Sequence, residues 1–223
     1  MKWIYLVAAL LFYGKMLLLP NLTGAGAEFS ELSIVETIVQ ESGIPNAVSA
    51  IIFRNRLYDT LFEVVVFTIA IMGVRFLLAD EQPAREVRQF TDSPSIILAR
   101  LGATIATLVS VELALRGHLT PGGGFAAGVA GGTAIALVAI TSSPEWLNQI
   151  YQRWRAATLE KLSVLLFLAL GALSLLGLDL PPGEMGAQLS GGWIPWLNIL
   201  VALKVAIGSW GAILAFIRYR GLL

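Results

Sequence analysis

Apolar residues fall in long unbroken blocks along this chain. Six of them, at residues 4–19, 57–78, 96–115, 122–140, 162–178 and 194–217, approach the length needed to cross a bilayer. A hydrocarbon core about 30 Å thick takes roughly 20 predominantly apolar residues of helix. The pattern therefore predicts an all-α integral membrane protein, a bundle of about six transmembrane helices. Between the first two blocks, residues 30–43 keep a helical spacing of apolar positions and put the glutamates on a different face. That spacing predicts a short amphipathic helix on the outer surface or against the bundle. Ser33 and Glu36 are placed to form a capping box, and Gly43 with Pro45 supplies the stop.

Composition fits the same class: 57% of residues are hydrophobic and only 13% charged, with a mean hydropathy of +0.77, unlike a soluble domain. Cysteine is absent, which excludes a disulfide framework and a thiolate metal site. The net charge is zero, which argues against nucleic acid as a partner. Cytoplasmic loops carry the excess of Lys and Arg. With six spans, one side receives ten basic residues (Lys2, Arg75, Arg85, Arg88, Arg100, Arg153, Arg155, Lys161, Arg218, Arg220) and the other four (Lys15, Arg54, Arg56, Arg116). Both termini are expected in the cytoplasm, with Trp3, Trp193 and Trp196 near span ends. The first block also imitates a signal peptide, ending in Gly24-Ala25-Gly26-Ala27. Its length and Lys15 favour retention as a span, the alternative being cleavage and five spans.

Between the third and fourth blocks the chain reads Gly117-His118-Leu119-Thr120-Pro121-Gly122-Gly123-Gly124, which includes its only histidine. Proline lacks the amide donor and each glycine costs about 1 kcal/mol against alanine in a helix, so the backbone breaks here. Open backbone at membrane depth is tolerated only where protein or trapped water satisfies it. Gly124, Gly128 and Gly132 lie four apart and give the next helix a smooth contact face. Pro121, Gly122 and Gly123 shape the turn itself.

Ionisable residues within spans are costly and mark pathways or buried partners. Glu63 lies in the first third of its span, with Asp59 one turn before it on the same face. Asp59 is expected to cap or to pair with Arg56, and Glu63 to bind a cation or pass a proton. Glu112 precedes Arg116 by four residues, so an intrahelical ion pair and a functional role are both open. His118 can exchange protons near neutral pH or simply hold the turn together. Lys204 stands near the middle of its span. It needs a carboxylate, expected in Glu63, Glu112 or another protein of the same assembly, or a water-filled cavity. One histidine without cysteine leaves no metal site, and no hydrolytic arrangement surrounds it.

Gly117-His118 with Pro121-Gly122-Gly123-Gly124-Phe125, then Ser190-Gly191-Gly192, Ile194-Pro195 and Asn198, then Leu203-Lys204-Val205, resemble the B-type (MnhB) component of the multisubunit Mrp-type (Mnh) sodium/proton antiporters. Upstream, Glu41-Ser42-Gly43, the run Asn46 to Ile52, Tyr58-Asp59-Thr60-Leu61 and Glu63 resemble the C-terminal end of the antiporter's large A-type component. They are also similar to the small E-type component of archaeal membrane-bound hydrogenases. Arg54, Leu57 and Phe62 depart from that upstream pattern, the first standing where an acid is expected.

The resemblance implies a membrane subunit of a monovalent cation (Na⁺)/proton antiporter in the cell membrane. Its partners would be components of the A, C, D, E, F and G types, monovalent cations and protons. No cofactor and no enzymatic activity of the chain's own are implied. Residues 1–78 would form a two-helix module, 79–95 a cytoplasmic linker and 96–223 a four-helix domain. On this reading Glu63, Lys204, His118, Glu112 and Asp59 are the ion-path candidates. Two alternatives are a membrane-arm subunit of a redox-driven hydrogenase or complex I-related dehydrogenase, and a structural scaffold.

Overall fold

A computed structural model describes residues 34–84, 87 and 89–221. The block expected at 4–19, Ser33 of the expected capping box, and Lys2, Lys15, Arg85 and Arg88 lie outside the described residues. Residues 38–223 form one compact unit and residues 1–37 another, of which only the first turn of helix α1 is described. Among the described residues all regular structure is helical.

Helix α1, Ile34–Ser42, stops at Gly43, whose φ of +70° suits a residue without a Cβ. Asn46 caps the short helix α2, Ala47–Ala50, its side-chain oxygen accepting from the amides of Val48 and Ser49 at 3.1 and 3.3 Å. One π-type turn follows at Ile51–Asn55, closed by Arg56 N–H donating to the Ile51 carbonyl at 2.7 Å. The Ile52 carbonyl in that turn accepts from the Thr60 hydroxyl at 2.7 Å, so the irregularity leaves that acceptor satisfied. The spans come next: α3 is Leu57–Leu77, α4 Ser93–Arg116 and α5 Gly124–Ala139. A surface helix, α6, covers Pro144–Arg153, and the last two spans are α7, Ala156–Leu175, and α8, Ile194–Arg220.

Four of these helices, α3, α4, α7 and α8, are long and apolar enough to cross a membrane, while α5 has 16 residues. Helix α7 starts six residues before the block read from sequence and stops three residues short of its end. The apolar blocks do not predict α6, although Ser143 caps it, accepting from Trp146 N–H at 3.3 Å, and Pro144 occupies its first turn.

Helices α3, α4 and α5 run alternately up and down, and α7 and α8 repeat the pattern after α6. One end of the bundle is stitched by Arg220 to Glu81 at 2.8 Å, Ala84 N–H to Arg218 O at 2.9 Å and Phe90 N–H to Ile140 O at 3.1 Å. That end carries Arg75, Arg100, Arg153, Arg155, Lys161, Arg218 and Arg220; the opposite end carries Arg54, Arg56 and Arg116. The outward surfaces of α3, α4 and α7 are apolar, with Phe62, Ile69, Leu98, Leu108 and Leu165 exposed, as a lipid or protein environment requires.

Helix α5 packs between α4 and α8, and small residues let it in. A Cβ on Gly124 would stand 2.5 Å from the Asn198 carbonyl oxygen, and one on Gly132 would meet Ser209 Cβ at 2.9 Å. Between them Gly128 lies against Val205 and the Ala202 carbonyl. Across the other face, Ser110 Oγ donates to Ala127 O at 2.7 Å. In a bilayer, where lipid is as apolar as leucine, this close approach supplies the dispersion and hydrogen bonding that hold helices together. Gly128→Ala should therefore destabilise the α5/α8 seam by about 1–3 kcal/mol, as overpacking does. A lower melting temperature of the purified complex, against no change for exposed Ala126→Gly beyond its helix-propensity cost, is the measurement that checks it.

Candidate ion-path site

Near the middle of α8 the Lys204 side chain is fully buried, and its ammonium group donates to Glu160 Oε1 on α7. Glu160 sits in the second turn of α7 on that helix's buried stripe, with Ser163, Phe167 and Gly171. The expected partners of Lys204, Glu63 and Glu112, are not its partners; the carboxylate comes from a helix whose acid reads as an interfacial charge in sequence. The other carboxylate oxygen, Oε2, lies 3.8 Å from Arg75 of α3, and Arg75 also donates to Tyr151 Oη of α6 at 2.9 Å. The Phe67 ring centroid stands 5.2 Å from Lys204 Nζ and adds a cation–π contact.

Two glycines of α8 make room for this network. A Cβ on Gly208 would come within 3.2 Å of both Glu160 Oε1 and Lys204 Nζ, and one on Gly211 would collide with the Arg75 guanidinium. The result is a line of alternating charge, Lys204, Glu160, Arg75, that runs from the bundle interior toward its basic end. A lone buried ammonium costs several kcal/mol, so the pair is stable only while both charges are present. Such a pair can also exchange a proton between its members without leaving a net charge in the apolar interior.

At the opposite end, polar side chains latch three loops. Asn46 Nδ2 donates to the carbonyls of Gly117 and Thr120 at 2.7 and 2.8 Å, and Ser49 Oγ donates to Gly117 O at 2.6 Å. Asn198 Nδ2 of α8 donates to Leu113 O and Ala114 O at 3.0 and 2.7 Å, capping the last carbonyls of α4. Gly117 has no Cβ to obstruct that amide, and Gly123, at φ +147°, turns the chain into α5. Asn46 and Ser49 are not among the site residues that the sequence pattern singles out. Each belongs to an Asn-x-x-Ser capping signature, which is the signal that finds them.

His118 is fully buried in this latch, with Nε2 3.0 Å from the Gln188 carbonyl and Nδ1 without a partner. A neutral ring with its proton on Nε2 satisfies that geometry, whereas a charged ring would leave an Nδ1–H unbonded. Burial pushes the His118 pKa below its ordinary 6.5, against the backbone carbonyls of Gln188 and Ala187.

The remaining candidates lie apart. Asp59 pairs with Arg56 at 2.5 Å near the start of α3, and Glu112 with Arg116 at 3.1 Å, both glutamate and arginine about half exposed. Glu63 is on the exposed face of α3, away from Lys204. Pro121 and Gly122 are exposed on the turn, and Gly122 packs on Leu113.

The family described as "Domain related to MnhB subunit of Na+/H+ antiporter" matches residues 94–211. An uncharacterized protein of Methanocaldococcus jannaschii is 30% identical over 74% of this chain and 74% of its own length. A probable K⁺/H⁺ antiporter protein of Rhizobium meliloti, of the combined A/B type, is 28% identical over 60% of this chain, which spans only 16% of that protein. Two solved structures share the fold. One is a chain of the membrane-bound sulfane sulfur reductase, an archaeal respiratory membrane complex, with a TM-score of 0.66 at 24% identity, covering 97% of this chain and 98% of that one. The other is a chain of the Mrp complex from Dietzia sp., with a TM-score of 0.57 at 22% identity, covering 97% of this chain and 26% of that one.

Because the fold favours neutral His118, its contribution is complete above the ordinary histidine pKa and is lost as pH falls below about 6.5. Acidifying the purified complex from about pH 7.5 to 5.5 should lower its melting temperature more in wild type than in His118→Gln, which has no ring to protonate.

Proposed function

The chain belongs to the family of domains related to the MnhB subunit of Na⁺/H⁺ antiporters, and from that membership we propose that it is a multi-pass membrane subunit of a monovalent cation/proton antiporter. It works beside other antiporter subunits in the cell membrane, and it is a transporter subunit with no catalytic reaction of its own. The excess of Lys and Arg at one end of the bundle puts that end in the cytoplasm. Residues 1–78, 79–95 and 96–223 are read as a two-helix module, a connecting segment and the domain the family match falls in.

The observation that carries the reading is the buried Lys204–Glu160 pair, set in the apolar bundle and joined to Arg75. A pair used only for packing is readily replaced by apolar side chains of similar volume, often with a gain in stability. A proton carrier has no such substitute. Glu63 joins the path from the outside of the bundle: on the exposed face of α3 it is available to a neighbouring subunit, which removes it from lipid. His118 and Asn198 hold the turn before α5 and so set the geometry of the far end, while Asp59 and Glu112 serve as local ion pairs.

A second reading, a membrane-arm subunit of a redox-driven complex, draws support from the full-length fold similarity to a chain of an archaeal respiratory complex. Neither reading changes the role given to the pair, because both move protons or cations through the membrane domain. Proton transfer driven by an ion gradient alone favours the first, and a requirement for electron flow the second.

In inverted vesicles carrying the whole complex, Lys204→Met with Glu160→Leu should assemble normally and lose at least nine-tenths of the cation-dependent ΔpH signal. Lys204→Met alone should lose both assembly and signal, since a single break leaves a buried charge and costs about 3–5 kcal/mol. Full exchange by the double variant would sink the ion-path reading and leave the chain a scaffold.

A further inference from the structure

The basic end of the bundle holds a cavity of about 680 Å³, open to the surface, that the pair's own geometry does not account for. At about 30 Å³ per molecule it has room for roughly twenty waters. Its walls come from α3, α6, α7 and α8, and they are polar where they approach the bundle interior: Arg75 and Tyr151, with Glu145, Asn148, Gln152 and Arg218 further out. Arg75 belongs both to this wall and to the buried network, since its guanidinium faces Tyr151 in the cavity and Glu160 behind it. Gly211, at the cavity wall, is the position where α8 has no side chain to block that passage.

Beyond the pair the passage closes. Val64, Phe167, Leu197, Val201 and Val205, all at most 1% exposed, pack in one apolar cluster on the far side of Lys204. They separate it from the Asn198 and His118 latch, with Asn198 six residues, about 9 Å, along α8. The pair therefore has a polar approach from one end and an apolar layer at the other.

Resting on the ion-path reading above, we propose that this cavity is an aqueous vestibule through which protons reach Glu160 from the basic side only, with Arg75 and Tyr151 at its inner end and the Val201 layer as its floor. No bond other than that to the proton is made or broken. A proton arriving by water is taken up by the Glu160 carboxylate and leaves by the same oxygen or through Lys204. The asymmetry fits an antiporter subunit, which must expose a carrier to one side at a time.

The chain contains no cysteine, so single cysteines report access directly. Ala215→Cys on the cavity wall, Glu160→Cys in a chain also carrying Lys204→Met, and Val201→Cys in the apolar layer would be placed in the intact complex in vesicles of either orientation. A charged, membrane-impermeant methanethiosulfonate would be added, and the mass of the isolated chain recorded. The vestibule requires modification at positions 215 and 160 at least ten times faster from the basic side than from the other, and none at 201 from either. A modified Ala215→Cys should also lose most of its exchange, because the adduct fills the passage. Equal labelling of position 160 from both sides, labelling at 201, or an unreactive position 215 would overturn the route. The two ideas fail separately: one-sided labelling with exchange untouched by the adduct and by removal of the pair defeats the ion-path reading, while lost exchange without one-sided labelling defeats the vestibule.

Discussion

A lysine inside an apolar helix bundle is tolerated only with its counter-charge beside it, and much of this molecule is arranged so that one helix can bring that charge to another. Lys204 of α8 meets Glu160 of α7 where Gly208 leaves space, and Arg75 of α3 reaches the same carboxylate past Gly211. Three spans are thus tied by one network of side chains. Removing any member leaves the others desolvated and unpaired, so the network specifies which helices are neighbours more sharply than the apolar surfaces around it do.

The far end is held by a different device. There the chain opens into turns, and amide and hydroxyl side chains satisfy the carbonyls that the broken helices leave free: Asn46 and Ser49 on the Gly117 turn, Asn198 on the end of α4. These groups are uncharged, and His118 among them is held neutral by burial. One end of the bundle is therefore built from hydrogen bonds to fixed backbone, and the other from charges that can trade protons. An antiporter subunit needs both kinds of support, a rigid frame and a titratable interior, and here they are separated along α8 by the Val201 layer.

The spans are readable from sequence because hydrophobic length is a one-dimensional signal: the blocks at 57–78, 96–115 and 194–217 meet helices Leu57–Leu77, Ser93–Arg116 and Ile194–Arg220 within three residues at each end. The block at 162–178 is displaced because Glu160 and Lys161 look like the charged border of a span, although α7 begins at Ala156 and buries Glu160. The same cue hid the partner of Lys204. Spacing within α7 carries the missing information, since Glu160, Ser163, Phe167 and Gly171 recur at three- and four-residue steps and share a face. The glycines at 124, 128 and 132 point to a contact face by their spacing alone, whereas which helix lies against them depends on tertiary packing. Asp59 with Arg56 and Glu112 with Arg116 are local pairs, legible because both members lie on one helix turn. That Glu63 faces outward follows from how α3 docks on α7 and α8, which no local pattern encodes.

The claim at the centre of this account is that Glu160 changes its protonation while the complex works. Infrared difference spectra of the intact complex, recorded as a cation gradient is imposed, test it most directly. The account predicts a carboxyl band that grows as a carboxylate band is lost, with both absent in Glu160→Gln. Identical difference spectra for wild type and Glu160→Gln would contradict it and make the Lys204–Glu160 pair an element of packing alone.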